Sequence, residues 1–268
     1  MNDSRCLDAA ANFTELMQLK SVGSDAFEST LSGPTEGSER PSIYGGQIAA
    51  QCLVAAGRTV DSLSRHPHAV HCRFTSPGDP ALPIRFDILR DHDGNSFSSR
   101  RVTASQGGRP LCTVSAGFVA DRGRAWFEQA VEAPPVESPT AMGPTTLGKL
   151  ISFEGRVPGP ANPRMERPAR FWVRASDTLS DAPLIHASGL LYVSDVAPGS
   201  PSAPDGTSTP RASLDHAVWF HGPINLNDWL LVDLTHVLTA RGRTFYDGRI
   251  FDSGGALIGS VTQEELFY

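Results

Sequence analysis

Hydrophobic and polar positions recur along the chain with two different periods, and each change of period marks an element. From Leu7 to Leu19 the apolar residues Phe13, Leu16 and Met17 fall at helical spacing, and Phe27, Ser29 and Leu31 then share one face of a strand. The segment YGGQIAAQCLVAAGRTV, residues 44–60, has no polar positions except Gln47 and Gln51 before its last turn, and a helix that is apolar all round is a buried one. Its many small side chains suit a helix wrapped closely by a curved antiparallel sheet. The next stretches supply that sheet: HAVHCRF, PIRFDILR, SFSSRRVTASQ and PLCTVSAGFV alternate with period two, with a turn at Gly107 and Gly108.

From Ala120 to Pro168 the pattern dissolves into charges and eight prolines, which predicts a connecting segment with a short helix near Leu147 to Phe153. The order then repeats. ARFWVRA reads as a strand, Asp181 as an N-cap with Pro183 just inside a second apolar helix, LIHASGLLYV, that runs into Ser194 and Asp195. After a loop rich in Pro and Ser come SLDHAVWFH, WLLVDLTHVL, RTFYDGRIF and GALIGSVTQEELF. Phe74 and Phe220, Pro77 and Pro223, Asp87 and Asp233, Gly108 and Gly254, and Leu111 and Leu257 are each separated by 146 residues, so the chain reads as an internal duplication. The expected division is a first unit over 1–120, a linker over 121–168 and a second unit over 169–268.

Composition narrows the partners. A formal net charge of −6 gives no global attraction for nucleic acid or an anionic membrane, and no run of eighteen apolar residues is present to span a bilayer. The four cysteines, Cys6, Cys52, Cys72 and Cys112, form no CxxC pair, which argues against a zinc site or a disulfide framework and for a reducing, cytoplasmic setting. The opening MNDSRCLDAA has no basic segment leading into an apolar core, so no secretion signal is expected there.

Two helices each wrapped by an antiparallel sheet describe an α+β tandem double hotdog. The segments YGGQIAAQ, SPGD followed by DGNSFSSRRV, FWVRA, LLYVSD, LDHAVWFH and NLNDWLL, in that order, resemble the successive signatures of type II acyl-CoA thioesterases over nearly the whole chain. The resemblance implies hydrolysis of a fatty acyl-CoA to free acid and CoA by a water molecule, without cofactor or metal, in a homo-oligomer of two or more subunits. It also implies the site: Asp195 at the end of the second helix, Ser213 where the family has Thr or Ser, and Gln263 in the last strand. Two rivals stand beside it, an enoyl-CoA hydratase or dehydratase and a non-catalytic acyl-CoA binder on the same fold. The first is disfavoured because no Asp and His pair in a hydratase motif is found, and the second because a binder has no need of all three polar residues.

These residue types suit the chemistry. A carboxylate takes a proton from water, while a hydroxyl and an amide aim the water's lone pair at the thioester carbon. The departing thiol, of pKa about 8.5, needs no strong general acid. Gly45 and Gly46, opening the first buried helix, are candidates for stabilising the oxyanion through backbone N–H groups. Arg100 and Arg101 are candidates for the CoA phosphates, although adjacent strand residues face opposite ways and at most one reaches a given groove. His216 and His221, five apart in one strand, also face opposite ways, which excludes a metal pair. Taken singly, Asp195 is a solvated helix-end carboxylate and Ser213 a strand-edge hydroxyl. Gln263 shares a face with Leu257 and Val261, so it points inward and needs partners there.

Overall fold

A computed structural model describes residues 8–31, 33, 35–36, 41–60, 65–120, 130–145, 147, 150–159, 169–196 and 211–267. Three α-helices are described: α1 (Phe13–Leu16), α2 (Gly45–Gly57) and α3 (Pro183–Ser194). The first half carries the strands β1 (Leu19–Gly23), β2 (Ala26–Ser29), β3 (Thr35–Glu36), β4 (Ser42–Ile43), β5 (Arg65–Phe74), β6 (Arg85–Asp93), β7 (Phe97–Gln106) and β8 (Arg109–Ala120). The second carries β9 (Phe153–Arg156), β10 (Arg170–Ala175), β11 (Arg211–Phe220), β12 (Leu230–Ala240), β13 (Arg243–Phe251) and β14 (Leu257–Phe267). The duplication is visible in the elements: β11 begins 146 residues after β5, and β13 146 residues after β7.

The two meanders form one sheet rather than two. β5 and β11 pair antiparallel from Asp215 opposite Arg73 to Trp219 opposite Ala69, giving the order β1-β2-β6-β7-β8-β5-β11-β14-β13-β12-β10-β9. Both long helices pack against the inward-facing residues of this sheet in one core because neither has a polar side to offer water: Gly46 to Gly57 of α2 are all buried, as are His186 to Ser194 of α3. They run antiparallel in close contact. A side chain at Gly57 would strike Leu184, and one at Gly46 would lie 2.6 Å from the carbonyl oxygen of Tyr192. Full burial of side chains such as Leu53, Leu190 and Leu191 stabilises the core by about 1.5–3 kcal/mol each. Phe13, Phe153 and Tyr192 close one end of the helix pair with ring centroids 5.2–5.7 Å apart.

Several expectations shift in detail. The first helix is a single turn capped by the Asn12 side chain, which accepts from the Glu15 amide, and the chain is already a strand at Leu19. No helix forms among the described residues of 147–153; Phe153 instead opens β9, because its backbone pairs with Ala175 of β10. The N-cap of α3 is Ala182 and not Asp181, so Pro183 sits at the helix start without a side-chain cap. Residues 130–142 do more than connect. Ala133, Val136 and Met142 cover Trp172, Trp229, Leu231 and Phe251 in a second small core, and Trp172 Nε1 donates to the Glu137 carbonyl at 3.0 Å. Gly107 and Gly108 both adopt positive φ, the tight turn their sequence demands. Cys6 and the Pro- and Ser-rich loop over 197–210 lie outside the described residues.

Candidate active site

Asp195 is the C-cap of α3 and only 3% exposed, so the helix end is not solvated. Its Oδ1 accepts from Ser213 Oγ at 3.0 Å and from Gln263 Nε2 at 2.7 Å, and Gln263 Nε2 also donates to Ser213 Oγ at 3.0 Å. Three residues far apart in sequence thus meet at one carboxylate oxygen. The buried amide of Gln263 finds the partners its position demands.

Strand parity alone does not bring them together. His216 faces inward, which in a regular strand would turn Ser213 outward. A bulge in β11 between Ser213 and Asp215 resets the register: His216 lies opposite Gln263 and Ser213 opposite Glu265, three residues on one strand against two on the other. The bulge re-aims Ser213 onto the face of Gln263 and Asp195.

The fourth wall comes from the other half of the chain. A Cβ on Gly45 would lie 2.8 Å from Asp195 Oδ2 and 3.3 Å from the Phe74 ring. The start of α2 therefore abuts the end of α3, with Tyr44 OH donating to the Tyr192 carbonyl at 2.8 Å to hold the junction. A carboxylate at the C-terminus of α3 is disfavoured by that helix's dipole, and the adjoining N-terminus of α2 opposes this with its own positive end. The first amides of α2 have no carbonyl within their helix to bond.

One row across the sheet shows why the two halves differ. Tyr246, Gln263, His216, Cys72, Val114 and Val102 are register neighbours in turn, all inward, polar on the second half and apolar on the first. The register counterpart of Gln263 in the first half is Ala116, which lies between Val70 and Arg100 as Gln263 lies between His216 and Tyr246, so a methyl stands where the second half has an amide, and Arg58 stands at the end of α2 where Asp195 ends α3. The burial of His216 pushes its pKa down to about 3, against a smaller upward pull from hydrogen bonding with Gln263.

Arg100 requires a correction. It is 1% exposed and spends its guanidinium on Thr59 Oγ1 (2.8 Å), the carbonyls of Thr59, His92 and Ser99, and the Asp93 carboxylate (2.7 Å), so it is an internal strut and not a phosphate contact. Arg101 faces the opposite way, exposed and paired with Asp91 at 2.9 Å, and is the surviving candidate of the two. His216 is buried and His221 exposed, on opposite faces as their spacing requires. Among the described residues no group of three or more His, Cys, Asp or Glu side chains converges to hold a metal. Sequence reasoning missed Ser194, whose hydroxyl meets His216 Nε2 at 2.9 Å, and the inward Glu265 and Thr244 beside Ser213. Period two along β13 and β14 marks the last two; nothing local marks Ser194.

The family models for acyl-CoA thioesterases match both halves, the N-terminal domain over residues 35–119 and the C-terminal domain over 128–267. The chain belongs to the acyl-CoA thioesterase II family. It is a thioester hydrolase, and the hydratase and binding-protein readings give way to that assignment. Human acyl-coenzyme A thioesterase 8 is 30% identical over 253 residues, covering 83% of this chain and 79% of that protein. A tesB protein of Mycobacterium avium subsp. paratuberculosis superposes with a TM-score of 0.79 at 30% identity, covering 96% of this chain and 98% of its own. A protein of Alicyclobacillus acidocaldarius described as having a hot dog fold superposes at 0.75 with 19% identity, which establishes the double hotdog architecture alone. No helix among the described residues of this thioesterase is long and apolar enough to cross a membrane.

Proposed function

We propose that the protein hydrolyses fatty acyl-CoA to free acid and CoA by direct attack of water, without a covalent acyl-enzyme. The observation that carries this reading is the meeting of Ser213, Gln263 and Asp195 Oδ1 beside the start of α2. Asp195 accepts a proton as the water oxygen bonds to the thioester carbon. Ser213 and Gln263 hold the carboxylate and orient the water, which supplies the positioning that makes a weak nucleophile effective. Negative charge building on the carbonyl oxygen is met by the first amides of α2, at Gly45 and Gly46. The C–S bond then breaks, and CoA leaves as a thiolate that takes up the proton. Arg101 is the candidate contact for a CoA phosphate.

The test is release of free thiol from acyl-CoAs of increasing chain length, with wild type and Asp195→Asn compared. Turnover by wild type that survives EDTA, is abolished in the variant and leaves no acyl mass on the protein supports the mechanism. A stable acyl adduct on one side chain overturns it.

A further inference from the structure

Ser194 and His216 have no part in the water attack proposed above, yet both are buried against the site, at 0% and 1% exposure. Ser194 is the last residue of α3, immediately before Asp195. His216 lies on β11, opposite Gln263 of β14 and beyond the bulge from Ser213. His216 Nε2 and Ser194 Oγ are 2.9 Å apart, and Ser194 Oγ also donates to the Leu191 carbonyl at 3.2 Å, so the imidazole N–H donates to the hydroxyl. One hydrogen bond thus ties the end of the helix that carries Asp195 to the strands that carry Ser213 and Gln263.

We infer that this tie is a positioning device for the hydrolytic reaction, with His216 and Ser194 setting the distance and angle at which Asp195 meets Ser213 and Gln263. The inference rests on the mechanism proposed above. A helix end has no continuing hydrogen-bond ladder to hold it, and Asp195 as a C-cap is where the chain leaves the helix. Ser213 and Gln263 must remain available to the water, so their bonds to the carboxylate cannot by themselves fix where the helix end lies. The tie supplies a fixed point one residue away. Its chemistry suits that role, because burial keeps His216 neutral down to a pKa of about 3. The ring therefore stays neutral, with one N–H to donate, throughout the working pH range. A displacement on the order of 1 Å at a reacting group costs roughly a hundredfold in rate.

The test compares Ser194→Ala, His216→Met and His216→Gln with wild type, measuring kcat and KM for one acyl-CoA alongside thermal unfolding. Methionine and glutamine have equal reach, and only glutamine restores a donor. Ser194→Ala and His216→Met should each lower kcat about ten- to a hundredfold with KM within about threefold, because the tie acts through Asp195 and not on substrate. His216→Gln should recover most of the loss, and the double variant Ser194→Ala with His216→Met should be no slower than the slower single variant. Should His216→Met fail to fold, Ser194→Ala carries the test by itself. A kcat within twofold of wild type in Ser194→Ala, or no recovery in His216→Gln over a folded His216→Met, overturns the tie. Asp195→Asn is run in parallel. If wild type releases no thiol, or releases it equally in that variant, the hydrolytic mechanism fails and the tie's role with it. An Asp195-dependent wild type with an unaltered Ser194→Ala rejects the tie alone.

Discussion

Gly45, the first residue of α2, leaves room for Oδ2 of Asp195: a Cβ there would lie 2.8 Å from that oxygen. The two residues belong to different halves of the duplicated chain, so the site is assembled across the halves and neither contains it. Gly45→Ala should lower kcat by about tenfold or more while melting cooperatively, because the added methyl displaces the carboxylate. Gly45→Ala with wild-type kcat would show that Asp195 does not need its present place.

Removing the polar partners tests the site directly. Gln263→Ala and Asp195→Asn should each lower turnover by roughly two orders of magnitude or more, the scale of losing a positioned acid-base or electrostatic group. Ser213→Thr should retain activity, since the hydroxyl that donates to Asp195 survives, and Ser213→Ala should not. Equal rates in the two Ser213 variants would show the hydroxyl to be idle.

Arg100→Ala should destabilise the fold by about 2–4 kcal/mol, since it strips partners from Thr59 and Asp93 and leaves a void around a wholly buried side chain. At a temperature where the variant is folded, its KM for acyl-CoA should be unchanged. A raised KM with normal stability would restore Arg100 as a substrate contact.

Stability should fall in mild acid. Burial lowers the pKa of His216 to about 3, and partial desolvation also lowers those of His68, His186 and the more exposed His221 below 6.5. Between about pH 6.5 and each folded value the unfolded chain binds protons that the folded chain does not, so stability is lost as pH falls through that window. His216 contributes at most about 1.4 kcal/mol per pH unit. The urea midpoint should therefore drop between pH 7 and pH 5, and His216→Gln should flatten the slope. A wild-type midpoint that is level over this range would contradict the burial of a neutral imidazole.

Much of this molecule is legible in its sequence because its elements follow local periodicity. The two helices without a polar face had nowhere to go but inside, the alternation of β6, β7, β13 and β14 set which side chains turn inward, and the 146-residue repeat paired the halves. Gln263 could be placed inward from its alternation with Val261, but Leu257, expected on the same face, packs with Phe251 and Trp172 in the second small core because the register shifts between Ile250 and Phe251; the opposed directions of Arg100 and Arg101 followed from their adjacency. What parity could not say is which of the two arginines is buried, since that depends on Thr59 and Asp93 arriving from other elements. Nor could it orient Ser213, because a bulge between Ser213 and Asp215 inverts the count, and a bulge is a property of two paired strands and not of one. The approach of Gly45 to Asp195 and the bond from His216 to Ser194 likewise join residues that only the packing of α2, α3 and the sheet brings within reach. Periodicity is local and decides faces; the distances that make a site come from contacts between elements, and those the tertiary structure alone decided.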